Sequence, residues 1–114
     1  MLGVANVSRA RQDLATASAP PPIEIVAMRF AFEPSRIEVE QGDTVRLVVR
    51  SADGVHGLAL KKFKVDRRIP RGGEPVTIEF VAAEPGTFPI LCSEFCGKGH
   101  ESMTGTLVVS VRKP

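Results

Sequence analysis

Two cysteines, a histidine and a methionine fall within twelve residues near the end of the chain, in the run Cys92-Ser93-Glu94-Phe95-Cys96-Gly97-Lys98-Gly99-His100-Glu101-Ser102-Met103. Thiolate, imidazole and thioether together make a soft-to-borderline donor set, which suits copper far better than calcium or magnesium. His56, the only other histidine, can bring a second imidazole. A one-electron copper site must accept Cu(I) and Cu(II) with little rearrangement, and sulfur donors hold the first while imidazoles suit both. His56, Cys96, His100 and Met103 by themselves meet the needs of a mononuclear blue-copper centre, which uses two His, one Cys and a weak axial Met. Cys92 is then left over. A second thiolate four residues earlier can bridge to another copper, so that two sulfurs hold two metals sharing one unpaired electron. The extra cysteine separates a dinuclear reading from a mononuclear one.

Blander readings exist for the same residues. A Cys92–Cys96 disulfide would close a very small ring and add little, because loop-closure stabilisation grows with loop length. It would also leave His100 and Met103 without a role. Zinc is served poorly by a Cys-x3-Cys-x3-His-x2-Met order, which lacks finger or ribbon spacing. Met103 taken singly reads as a core filler, and His56 as a hydrogen-bonded or surface histidine.

The elements that must position these groups are short strands. Ile23 to Met28 reads as a first strand, Arg36 to Glu40 alternates so that Ile37 and Val39 share a face, and Gln41-Gly42-Asp43 is a turn. Thr44 to Arg50 follows with Val45, Leu47 and Val49 on one side, then a turn at Ser51 to Gly54. Val76 to Phe80, Thr87 to Cys92 and Thr106 to Val111 complete the pattern. About seven to eight short strands with almost no helical periodicity predict an all-β Greek-key sandwich or barrel, antiparallel in character. Two long segments without strong strand signal interrupt it, Lys61 to Gly73 and Cys92 to Thr104. Long loops in small sandwiches carry function, and the second holds the ligand cluster.

Ahead of the strands, residues 1–22 are poor in apolar residues and end in Ala19-Pro20-Pro21-Pro22. They are expected to form a flexible or partly helical arm or tether, with a short helix conceivable over Val7 to Ala17, and residues 23–114 to form the domain. No stretch approaches the roughly 20 apolar residues of a membrane helix. Met1 to Ala5 is too short for the apolar part of a signal peptide. With 114 residues and a formal charge of +2, the chain is one domain of ordinary charge. Trp and Tyr are absent and only six Phe are present, so nucleic-acid binding is a poor reading. Lys61 to Arg71 carries six basic residues against one acid. It reads first as a solvated loop and second as a patch that steers an acidic partner.

Cys92-x-Glu94-x-Cys96-Gly97-x-x-His100-x-x-Met103, preceded by Asp53-Gly54-Val55-His56-Gly57, resembles the CuA motif of cytochrome c oxidase subunit II, and nitrous oxide reductase carries a similar centre. Phe32-Glu33-Pro34, Gly42-Asp43-Thr44-Val45 and Pro85-Gly86-Thr87-Phe88 look like cupredoxin framework signatures, so the resemblance spans about residues 23–112. It implies a cupredoxin-like fold and a dinuclear copper centre. Cys92 and Cys96 would be the bridging thiolates, His56 and His100 the terminal imidazoles, Met103 a weak thioether ligand, and Glu94 a ligand through its backbone carbonyl. It also implies one-electron transfer from a donor protein, a cytochrome c or small cupredoxin, to subunit I of a haem-copper oxidase. No bond-making catalysis is expected in the domain itself, and its place would be the periplasmic or extracytoplasmic side of a membrane. The sequence departs from the family in lacking the two membrane helices and the Trp- and Tyr-rich stretch expected near Val26 to Phe32. That departure keeps a second class of reading in play, a copper sensor, carrier or store.

Overall fold

A computed structural model describes residues 20–112. It contains nine strands: β1 (Pro22–Met28), β2 (Ala31–Glu33), β3 (Arg36–Glu40), β4 (Thr44–Ser51), β5 (His56–Leu60), β6 (Val65–Ile69), β7 (Val76–Val81), β8 (Gly86–Leu91) and β9 (Thr104–Ser110). Two single 3-10 turns, Lys61–Phe63 and His100–Ser102, are the only helical pieces among the described residues. One sheet runs β2-β1-β4-β7 and the other β3-β9-β8-β5-β6. Residues 1–19, with the helix considered for Val7 to Ala17, lie outside the described residues, and β1 takes in Pro22 at the arm's expected end.

The alternation read from the sequence sets the core. Val45, Leu47 and Val49 of β4 point inward together, each at most 2 % exposed, with Arg46, Val48 and Arg50 on the other face. Ile25 and Ala27 of β1, Ile78 and Phe80 of β7, and Leu107 and Val109 of β9 close the space between the sheets. Phe63 packs against Phe80 and edge-on to Phe88, with ring centroids 5.1 Å apart in both pairs. Burial of such side chains contributes roughly 1.5–3 kcal/mol each and supplies the rigidity a metal site needs.

The structure departs from the expected pattern in three places. The sandwich is mixed, not antiparallel throughout, because β1 pairs parallel with β4 and β3 parallel with β9. Each first strand of a sheet returns beside a later strand reached through the opposite sheet, and such crossings leave partners parallel. Strand β5 gives no alternating signal because all five of its residues are buried. Strand β6 lies within Lys61 to Gly73, where three successive exposed residues, Asp66, Arg67 and Arg68, hide the pattern of an edge strand. Charged residues on an edge keep it from pairing with other chains, which accounts for Arg67 and Arg68 within the basic run.

Candidate metal centre

One end of the sandwich gathers the β1–β2 turn, the β4–β5 loop and the long β8–β9 loop. His56 is the first residue of β5, held in register opposite Ile69 of β6, and is fully buried. Its Nε2 lies 2.6 Å from Asp53 Oδ1. Asp53 is itself fixed by the turn: its carboxylate accepts from the main-chain N–H of Arg29 (2.9 Å) and of Gly54 (2.6 Å), while Ser51 Oγ bonds the Gly54 carbonyl. Burial by itself would raise the Asp53 pKa, but the Arg29 N–H, the His56 ring and the Gly54 N–H outweigh it and hold the carboxyl at about 2, below the usual 3.8. An ionised acceptor at Nε2 puts the ring proton there. The lone pair is left on Nδ1, which is buried without any hydrogen-bond partner.

The ligand atoms of His56, Cys92 and Cys96 all lie within 4.8 Å of one another. Both thiols are buried and free, with their sulfurs 3.6 Å apart. Cys96 is the hub of the loop, its Sγ lying 3.9 Å from His100 Nδ1 and 3.7 Å from Met103 Sδ. Met103 is fully buried, whereas His100 is half-buried and begins the second 3-10 turn. The Glu94 carbonyl oxygen accepts from the Cys92 thiol at 3.2 Å, so the main chain of Glu94 turns toward the sulfurs. Burial first, and then the hydrogen bond and charge of Cys92, push the Cys96 thiol up to about 11. Raised in this way, the Cys96 thiol resists ionisation until a cation replaces its proton.

The loop's path depends on missing side chains. A Cβ on Gly57 would overlap Ser93 Oγ and lie 2.9 Å from the Glu94 nitrogen, so the start of the loop lies flat on β5. Gly97 turns with φ of +140°, a conformation that disfavours any side chain. A Cβ on Gly99 would sit 2.5 Å from the Phe30 ring, which covers the second half of the loop from the β1–β2 turn. Phe95 stands 77 % exposed with its ring 5.8 Å from that of His100.

All six residues singled out in the sequence thus meet at one end of the fold, three of them tightly around one point and three disposed about Cys96 or Cys92. Sequence reasoning missed Arg29 and Phe30 as parts of the site, and it quoted Asp53 without a role. The Asp53-x-x-His56 spacing carried the latter signal. Nothing in the spacing of Arg29, 67 residues from Cys96, marks its contact with the loop.

The donor set fits a soft metal. Two free buried thiols, an imidazole nitrogen with no partner, a thioether and a main-chain carbonyl are brought together here. The carboxylate behind His56 supplies the support usual for a ligating imidazole.

The acid side of the Asp53 arrangement gives a prediction for metal-free protein. A carboxyl whose pKa is depressed by folding stabilises the fold fully above about pH 4, and that contribution is lost as pH falls toward 2. Urea unfolding at pH 5 and pH 2.5 should show wild type losing more stability than Asp53→Asn across that interval. The difference should be modest, because the Asp53 side chain is about a third exposed. Equal losses would remove Asp53 from the account.

A family model described as a cupredoxin-like domain matches residues 1–109. Cytochrome c oxidase subunit 2 of Thermus thermophilus is 32 % identical over 87 residues, covering 76 % of this chain and 64 % of that protein. Nitrous-oxide reductase of Cupriavidus necator is 30 % identical over 91 residues, covering 76 % of this chain and 14 % of the relative. The periplasmic domain of subunit II of cytochrome oxidase from Bradyrhizobium japonicum superposes with a TM-score of 0.73 at 23 % identity, over 82 % of this chain and 86 % of that one, a likeness of fold. The chain spans between about half and just under two thirds of the length of the Thermus thermophilus subunit 2 relatives.

Proposed function

The chain belongs to the cupredoxin-like domain family, and from that premise we propose that it is a copper-binding electron-transfer domain of the oxidase subunit II kind. In this reading His56, Cys92, Cys96, His100, Met103 and the Glu94 carbonyl hold a dinuclear CuA-type centre. The observation that carries it is the second buried free thiol, 3.6 Å from the first and gathered with it and a His56 ring nitrogen within 4.8 Å. Similarity to oxidase subunit 2 and to nitrous-oxide reductase supports it independently.

When bound, copper supplies a one-electron couple between Cu(I) and Cu(II). The chain's own residues do the rest. Asp53 keeps the His56 proton on Nε2 and so keeps Nδ1 available. The two sheets hold β5 and β8 still, which limits geometry change between oxidation states, while Met103 lies buried against the Cys96 sulfur and Phe30 packs over Gly97 and Gly99. His100, half-buried and touching the exposed Phe95, is the more exposed of the two imidazoles and the natural point of electron entry. The partners in this reading are a donor, a cytochrome c or small cupredoxin, and subunit I of a haem-copper oxidase as acceptor. The location is periplasmic or otherwise extracytoplasmic. Among the described residues no helix is long and apolar enough to cross a membrane.

Copper added to reduced protein should bind at two ions per chain and give a purple species. Copper nuclei split the signal of an electron shared equally by two ions into seven lines, and of an electron on one ion into four. A four-line spectrum from unmutated protein would remove the dinuclear claim. Stopped-flow mixing with a reduced donor separates electron transfer, seen as fast donor oxidation, from copper handling, seen as ready metal exchange without it.

A further inference from the structure

The turn between β1 and β2 holds no ligand, yet one of its residues touches both halves of the centre. Arg29 donates its main-chain N–H to Asp53 Oδ2 at 2.9 Å, and the other oxygen of that carboxylate bonds His56 Nε2 at 2.6 Å. Its side chain turns the other way, and Nε donates to the Cys96 carbonyl oxygen at 3.0 Å. Room for the guanidinium comes from Gly54, where a Cβ would lie 2.7 Å from Nη2. Two loops far apart in sequence, one bearing His56 and the other Cys96, are therefore tied through a single residue. The tie carries charge as well as geometry, because a guanidinium is cationic at every relevant pH.

We infer that Arg29 is a positioning residue for the centre: it fixes Cys96 relative to His56 and, by standing a permanent positive charge beside Cys96, raises the reduction potential. The ordering role follows from the protein alone, and the effect on potential rests on the copper reading above. Adding an electron lowers the positive charge of the centre, so a fixed cation nearby favours the reduced form. Arg29 is surface-exposed, and solvent reduces the charge effect without abolishing it.

The test compares Arg29→Met with Arg29→Lys. Methionine keeps the apolar stem and removes both the charge and the Nε donor, while lysine keeps the charge. Any substitution other than proline retains the main-chain N–H that holds Asp53, so His56 stays placed and both variants should fold. In copper-loaded protein, Arg29→Met should shift the one-electron equilibrium toward the oxidised form by about tenfold, which corresponds to roughly 59 mV. Arg29→Lys should shift it by less than about threefold. In copper-free protein, amide hydrogen exchange across Cys96 to His100 should quicken in Arg29→Met, because the Cys96 carbonyl has lost its tie. An unchanged potential in Arg29→Met overturns the charge role, as does an equal fall in Arg29→Lys. Unchanged exchange overturns the ordering role. Wild-type protein that takes up no copper would count against the copper reading alone, because the exchange measurement still decides the ordering role.

Discussion

Cys92→Ser should bind a single copper and show a four-line spectrum, whereas Cys96→Ser should retain almost none. The asymmetry follows from where the sulfurs sit. Cys96 lies within 4 Å of Cys92, His100 and Met103, so its loss removes the sulfur about which the whole loop is arranged. Cys92 has the Cys96 sulfur and the Glu94 carbonyl for neighbours, together with the shared approach to His56. Removing it leaves His56, Cys96, His100 and Met103, which is the inventory of a mononuclear blue-copper site. A serine hydroxyl is a hard and far less acidic donor, unable to act as a bridging thiolate at neutral pH. Metal analysis and EPR on both variants decide the matter. Seven lines surviving in Cys92→Ser would show that the two cysteines do not bridge a pair of coppers.

Gly57→Ala is expected to be the most damaging small change outside the ligands. Its methyl would overlap Ser93 Oγ, which can rotate away, and would stand 2.9 Å from the Glu94 nitrogen, which cannot move without its loop. Relief requires lifting Ser93 and Glu94 off β5, and with them the carbonyl beside Cys92. Overpacking of this kind costs about 1–3 kcal/mol. The displacement should weaken copper retention by roughly 10–100-fold, the range seen when groups supporting metal ligands are lost. Urea unfolding and competition with a copper chelator measure the two effects separately. Unaltered retention would mean that the loop's contact with β5 does not position the site.

Much of this site is legible in the amino-acid sequence because its donors sit close together along the chain. The order from Cys92 to Met103 points to the chemistry, and the framework turns around Gly42 and Gly86 place the strands that flank it. His56 is found by elimination, being the only other histidine. What stays hidden has physical reasons. Strand β5 is buried on both faces, by the core on one side and the ligand loop on the other, so its residues show no period of two. Strand β6 is an edge that needs charge, and its Asp66-Arg67-Arg68 run reads as a loop. Arg29 is hidden because a single hydrogen bond between distant segments leaves no pattern. The expectation that entry aromatics are missing also changes in detail. Trp and Tyr are absent, but Phe30 and Phe95 flank the ligand loop at the surface.

The parallel pairing of β3 with β9 has a consequence in time. Arg36 meets Thr106 and Glu40 meets Ser110, so the second sheet cannot close until nearly the whole domain has emerged and found its ends. Pairings between such distant segments carry a loop-closure cost before any contact offsets it, and proteins built on them fold in milliseconds to seconds. Strand β9 begins one residue past Met103. The loop that carries both thiols is therefore anchored at its downstream end by one of the last strands able to pair. Until then Cys92 and Cys96 are neighbours on an open chain, free to oxidise together. Sheet topology thus sets how long the two thiols stay on an unanchored loop.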